Sequence, residues 1–488
     1  MKTLLLLSLS SLSFLFINAQ KVQTLPAEKD WVIKSVASNA KEWFFGTDDV
    51  FDKDILYLND SEVVFPVRYD NKASGLVKMN KDGKVVWTLN FTSAVLGIGK
   101  QKNGVIVFLW TDVGISATIV DVFTGKNGRE QGVYSTTKKE GTHPIVLNDA
   151  AGNFKSLVLR IDATHGERFP ETSDRNAITK LMTITADEQL NLNGKELKLV
   201  GAGNTFVGVA VNDEGELFVC SQNEGQIFVE QFSAQGNQLN KLTTSFSLKK
   251  KGSYISAMTI DPQNKKAVLL GMHYESDKKS NKNIFYTCDF TAKKVIASNE
   301  EELDKDFARS LHAVKEHRGP AGRLGSIEDL QIVNILPIAD KIIVIKEMRS
   351  AGNPTSSVID LFHEYVVVSF YDRSWKLLGN VAYDKMLQTS SSGRSLGYWM
   401  DNGKLYIVAN ALSSILADYA TLLLTIDVNS MQLQKISVLD KSGLEARSFI
   451  EAGGTIRFGN VLYLQNMIPQ KAHYNTRFMH TVLQRVDL

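Results

Sequence analysis

Hydrophobic positions come in short runs closed by polar turns, and the runs recur in the same order along the chain. Each unit opens with a short apolar strand, a tight polar turn and a strand rich in Val, Ile and Leu. A loop of variable length follows, then a strand ending at Asp or Asn, then a turn and a last amphipathic strand. In the first unit Ile55-Leu56-Tyr57-Leu58 turns at Asn59-Asp60-Ser61 into Val63-Val64-Phe65. After a loop, Leu76 to Asn80 turns at Lys81-Asp82-Gly83 into Lys84 to Trp87. Asp-Gly between alternating strands is a hairpin signal, because the central turn residues need positive φ.

The second and third strands of the phrase are legible in every later unit. They are Val105 to Trp110 with Thr118 to Asp121, Leu157 to Leu159 with Ile178 to Thr185, and Leu217 to Val219 with Ile227 to Phe232. Ala267 to Leu270 with Ile284 to Asp289, Ile342 to Ile345 with Tyr365 to Phe370, and Leu405 to Val408 with Leu422 to Asp427 continue the series. The count is about eight, seven or eight. One such sheet is apolar on both faces and cannot bury them alone, whereas radial stacking about an axis covers each face with a neighbour. The pattern therefore predicts an all-β fold, a β-propeller of four-stranded blades. The last unit supplies Val461 to Leu464 and Thr481 to Val486 but no fourth strand, while Trp31 to Val36 forms a strand with no unit of its own. An N-terminal strand is thus expected to complete the last blade, with Trp31 to Val36 as the candidate. Glu301 to His317 breaks the β-pattern: Leu303, Phe307, Leu311 and Val314 make one helical stripe, which predicts an amphipathic helix inserted near residues 300–320.

The ends and the composition add a compartment. Lys2, an apolar run from Leu4 to Ile17 and Ala19 read as a signal peptide over residues 1–19, with Gln20 as mature start and residues 20–488 as one propeller domain. The expected location is periplasmic or extracellular. No other apolar run is long enough to span a membrane. The net charge of +2 falls to +1 when Lys2 leaves, too weak a field for nucleic acid. Cys220 and Cys288 are too few for a disulfide framework and sit in apolar strands, so buried thiols are favoured over a bridge. With 9 prolines and no Pro- or Ser-rich linker, the chain reads as one continuous array, expected to be monomeric.

Two segments, Thr118 to Gly125 and Val77 to Trp87, resemble the propeller repeats of pyrroloquinoline-quinone-enzyme-like proteins. There an apolar strand ends at Asp, a Gly turn follows, and a Trp docks neighbouring blades. The Trp is missing from most units here, so the resemblance implies the architecture and no cofactor.

In a four-stranded blade the loop between strands two and three shares a face with the link to the next blade. The length variation falls on that face, and long loops on a rigid scaffold are where binding resides. Its candidate binding residues are His165, Arg168, His273, Tyr274, Arg349, His363, His473, Tyr474 and Arg477. His312 and His317, five apart, do not share a helix face and predict no metal pair. No His-Glu-x-x-His, Gly-x-Ser-x-Gly or Cys-x-x-Cys motif occurs. The leading expectation is an exported binding or scaffold protein holding a protein or glycan partner on this face. The alternative is an exported polysaccharide hydrolase or lyase, which requires His or Tyr and carboxylates converging at the channel mouth.

Overall fold

The computed structural model describes residues 22–24, 55–68, 74–136, 140–163, 178–199, 205–223, 225–245, 254–274, 281–303, 307, 330–351, 361–389, 396–412, 419–439, 449–469 and 479–488. These residues form eight antiparallel four-stranded sheets. Blades 1 to 7 take consecutive strands from residues 56–91, 94–135, 140–196, 205–245, 254–302, 330–389 and 396–439. First strands of neighbouring blades touch from blade 1 through to blade 6 and again between blades 7 and 8, and blades 8 and 1 pack through Phe458, Tyr463, Val63 and Phe65, so the sheets ring an axis. The chain is an eight-bladed β-propeller.

Blade 8 takes Phe449–Phe458, Val461–Pro469 and Met479–Asp487 from the end of the chain, and Val22–Thr24 supplies its outermost strand. Val22 is opposite Val486, Gln23 opposite Arg485 and Thr24 opposite Gln484. An N-terminal strand does close the ring, but it is this segment. Trp31 to Val36 lies outside the described residues.

The second strand of each blade is mostly apolar on both faces because both are interior. In blade 6, Ile343 and Ile345 pack with Leu405 and Ile407 of blade 7. Ile342 and Val344, on the other face of the same strand, pack with Leu269 and Phe285 of blade 5. Fourth strands alternate instead: Lys294–Glu302 presents one exposed residue for each half-buried one along most of its length. Strict alternation marks a strand with one wet face. Cys220 and Cys288 are buried free thiols in the interface of blades 4 and 5, and burial pushes both up from their ordinary pKa.

The Asp or Asn that ends so many third strands caps the next turn with its side chain. Asp121 accepts from the backbone N–H of Thr124 and Phe123, Asp187 from Asn191 and Gln189, Asp372 from Ser374 and Lys376. Such Asx turns hold the loop without help from a partner. Three or four residues beyond the cap the backbone turns left-handed, at Gly125 (φ 69°), Leu190 (65°), Gly236 (73°), Trp375 (68°) and Met431 (56°). Each of these residues docks on the blade before it. A Cβ on Gly125 would sit 2.8 Å from the Trp87 ring of blade 1, so a side chain there would displace the indole. The indole N–H also donates to Val122 O at 3.0 Å. This is the Asp, Gly and Trp arrangement that the resemblance implied. In blade 6 the docking residue is itself Trp375, fully buried, stacked on Phe285 of blade 5 at 4.8 Å and donating to Thr287 Oγ1 at 2.8 Å.

The expected helix from Glu301 is corrected at its start. Glu301 and Glu302 extend the fourth strand of blade 5, where Glu301 pairs with Asn283 and Glu302 with Lys282. The strand continues because the Glu301 carboxylate finds buried donors on the facing blade, described below. Leu303 and Phe307, both on the predicted stripe, are buried against Leu330, Met348, Val367 and Ala382 of blade 6. Leu311, His312, Val314 and His317 lie outside the described residues.

Candidate functional site

Strand direction alternates across a blade, so two kinds of connection emerge on each face. On one face are the first-to-second and third-to-fourth turns, tight and capped. On the other are the second-to-third loops and the blade-to-blade links. Of the residues singled out on the loop face, His165, Arg168, His473, Tyr474 and Arg477 lie outside the described residues. Arg349 and His363 are brought directly opposite each other across the second and third strands of blade 6. Tyr274 ends the second strand of blade 5, opposite Lys282. His273 is in the same strand and opposite Asn283, and it is 1% exposed rather than presented on a loop.

His273 belongs to a polar network sealed between blades 5 and 6. Its Nδ1–H donates to Asn283 Oδ1 at 3.1 Å, and Asn283 Nδ2 donates to Glu301 Oε2 at 3.2 Å. The Lys346 ammonium donates to the same carboxylate and to the Tyr371 hydroxyl at 2.7 Å, and that hydroxyl donates to Glu301 Oε1 at 2.7 Å. Lys346 also lies over the rings of Tyr371, Phe307 and Phe285 at 5.3, 5.4 and 5.6 Å. Burial pushes the Tyr371 phenol well above its ordinary pKa and lowers the Lys346 ammonium, with Glu301 opposing the latter. At a solvent-open cleft a His, Tyr, Lys and Glu would be acid–base machinery. Here Lys346 and Tyr371 are fully buried and Glu301 is 9% exposed, so no substrate reaches them. The network ties two blades together.

His273 gives this interface a pH dependence. Burial lowers its pKa from 6.5 to about 4, with the nearby Lys346 charge adding to the effect and the Asn283 bond opposing it. Between those values the unfolded chain binds a proton that the folded chain refuses, so stability falls as pH drops. Over the whole window the loss is about 3 kcal/mol. Melting temperatures measured between pH 6.5 and 4 are expected to decline, and His273→Phe to flatten that decline. An unchanged slope in the variant would assign the effect elsewhere. The capping carboxylates act lower. Asp121, Asp187, Asp372 and Asp427 are held below their ordinary pKa by the Thr124 N–H, the Asn191 amide, the Ser374 hydroxyl and the Ser430 N–H. Their contribution is present above the ordinary carboxylate range and is lost as pH falls through the lowered folded values.

A solvent-lined hollow of about 990 Å³ lies on the opposite, tight-turn face. Its walls come from the first-to-second turns of blades 1, 3 and 8 and from the third-to-fourth turn of blade 1, and its apolar lining includes Leu56, Phe458 and Val461. Turns next to the ringed first strands place it at the mouth of the channel. Two local features shape it. Gly152, at φ +83°, has its Cα so close to Leu56 that a Cβ would lie 2.8 Å from a Leu56 methyl, so the blade 3 turn reaches across to blade 1. The Gly152 carbonyl accepts from Lys100 N–H at 2.8 Å, which pins the turn to blade 2. Polar groups around the hollow include Asp60, Lys81, Asp82, Lys100, Arg457 and Arg485. Sequence reading took Asn59-Asp60-Ser61 and Lys81-Asp82-Gly83 as turns, which they are. Nothing in their spacing links them to Arg457, because the contact arises from ring closure.

Among the described residues, no helix is long and apolar enough to cross a membrane. No protein-family model and no curated protein matches the chain. Solved structures that it resembles include the WD40 domain of SCAP from fission yeast, at 9% identity and a TM-score of 0.45, covering 96% of this chain and 98% of that one. BamB from Moraxella catarrhalis resembles it at 12% identity and a TM-score of 0.41, covering 89% and 96%. The polysaccharide lyase Uly1 resembles it at 10% identity and a TM-score of 0.39, covering 80% and 89%. The propeller assignment itself rests on the strand pairing described above, and the likeness to quinone-enzyme-like repeats stands at the level of repeat and fold.

Proposed function

We propose that this chain is an exported, non-enzymatic binding or scaffold protein that holds a protein or glycan partner on its loop face. The supporting observation is the asymmetry of the connections. Third-to-fourth turns are capped and four or five residues long in six blades, as at Asp187 and Asp372, with blade 2 the longer exception at residues 122–130. Second-to-third connections run through residues 164–177 in blade 3, 352–360 in blade 6 and 470–478 in blade 8. A closed ring with one face of tight turns spends its sequence variety on the other face, and long loops on a rigid scaffold are the usual place of recognition. Export follows from the leader pattern of residues 1–19.

The test places a photo-crosslinking benzoylphenylalanine at Arg168 or Tyr474, and for comparison at Asn103 or Asn237 in tight turns. Irradiation in the producing cells is expected to give heavier adducts from the first pair and none from the second. Equal labelling of both faces would end the loop-face reading. N-terminal sequencing of the exported protein is expected to start at Gln20, and a product that keeps residues 1–19 would remove the export claim.

A further inference from the structure

We propose that the hollow at the tight-turn mouth of the channel is a second binding site, for a neutral oligosaccharide. It lies opposite the loop face, so it goes beyond the reading above and fails or stands separately from it.

The hollow's volume of about 990 Å³ is at the top of the roughly 300–1,000 Å³ range of small-molecule sites. Three observations choose the ligand. The first is an aromatic surface that is exposed yet held. Tyr57 is 38% exposed, but its hydroxyl accepts from the Arg457 N–H at 2.9 Å and its ring meets Phe458 edge-on at 6.0 Å. A sugar ring stacking there freezes no loose side chain, so the contact keeps its full value.

The second is charge balance. A site for phosphate or a polyanion needs cations in excess. Here the Arg457 guanidinium is already paired with Asp401, Arg485 with Asp487 at 3.0 Å, and Lys100 donates to Ala151 O at 2.8 Å. Asp60, Asp82 and Asp149 line the same space and repel anions.

The third is a set of open acceptors beside an open donor. The side chains of Asp60 and Lys81 make no hydrogen bond to any described residue and Asp82 meets Arg485 only through its charge, while the turns that carry them are fixed by Asn59 and Asn80. Each carboxylate accepts two hydroxyls and the ammonium donates to a third oxygen. A polyol with adjacent hydroxyls and an apolar ring face satisfies both kinds of partner, whereas a purely apolar ligand would strand the charges.

Isothermal titration of the full chain with maltohexaose, cellohexaose, xylohexaose and chitohexaose tests the site, with trigalacturonate and inorganic phosphate as anionic probes. Saturable binding of at least one neutral oligosaccharide is expected. Tyr57→Ala is expected to weaken it about tenfold or more, and Tyr57→Phe, which keeps the ring, by no more than about threefold. Asp60→Asn with Asp82→Asn weakens it as well, because each amide accepts fewer hydroxyls. Tyr57→Phe and the Asp pair retain the ring and the turn, so they decide the matter should Tyr57→Ala melt early. The proposal is overturned by no binding to any neutral probe, by binding to the anionic probes alone, or by affinity indifferent to both Tyr57→Ala and the Asp pair. Leu239→Ala, on the outer strand of blade 4 away from the hollow, is expected to leave the titration unchanged.

Discussion

Lys346→Met is expected to destabilise the propeller by about 3–5 kcal/mol, the usual effect of removing one partner from a buried ion pair. Methionine fills most of the lysine's volume and keeps contact with Phe285, Phe307 and Tyr371, so the loss is not one of packing. What remains is the Glu301 carboxylate, sealed between blades 5 and 6, with Tyr371 and Asn283 as its other donors. An isolated buried charge costs several kcal/mol that two neutral hydrogen bonds do not offset. Adding Glu301→Gln removes the charge while the amide oxygen still accepts from Tyr371. The double variant is therefore expected to recover more than half of the loss, although it has two substitutions. Urea unfolding of the four proteins in this cycle makes the comparison. A single-variant loss under about 1 kcal/mol, or a double variant no better than the single, would show that the pair is not charged in the fold.

A chain that begins at residue 26 lacks the strand Val22–Thr24 and is expected to melt a few degrees below one that begins at residue 20. Its blade 8 keeps three strands, and the backbone of Met479–Asp487 becomes an open edge. Three register pairs of backbone, at about 1 kcal/mol per hydrogen bond, amount to a few kcal/mol. At about 2 cal/mol/K of unfolding entropy per residue, that lowers the melting temperature of a chain of this size by roughly 3 °C. The exposed edge also invites pairing with a second molecule, so the truncated protein is expected to aggregate on heating in a concentration-dependent way. Scanning calorimetry at two protein concentrations checks both effects. Equal melting of the two chains would mean that the ring is held shut by the apolar contacts between blades 8 and 1 alone, where Tyr463 and Phe458 meet Val63 and Phe65.

Much of this architecture is written in local order. The apolar second strands and the Asp or Asn before each turn are visible as strings of residues, and both carry their physical reason with them. A strand buried on two sides is apolar wherever no buried partner waits, and an Asx turn needs only its own residues. The turn from Thr118 to Gly125 is legible for the same reason, since Gly125 and the Trp87 ring it meets belong to adjacent units. The closing strand was half legible. Blade 8 visibly lacked a strand, but a three-residue strand such as Val22–Thr24 leaves no periodic trace, and the longer Trp31 to Val36 run drew attention instead.

The site was less legible. His273 looked like a loop residue because Tyr274 and Glu275 follow it and are polar. It is the inward member of an alternating run with Leu269 and Gly271, and its partner Lys346 belongs to the next blade. A polar residue in a fully interior strand announces itself only when its acceptor is known. Glu301 likewise opened the expected helical segment ahead of Leu303 and Phe307, yet its carboxylate is held by Lys346 and Tyr371, and the strand runs on past the expected helix start.

By itself the sequence determined the repeat, the strand order within each blade and the turns that cap one face, because these depend on neighbours close along the chain. Tertiary structure decided which polar side chains are sealed and which are open. It also assembled the hollow in which Tyr57 meets Arg457, 400 positions away. Closing a ring brings the first and last blades together, and no local pattern encodes a contact that exists only after the whole circle is complete.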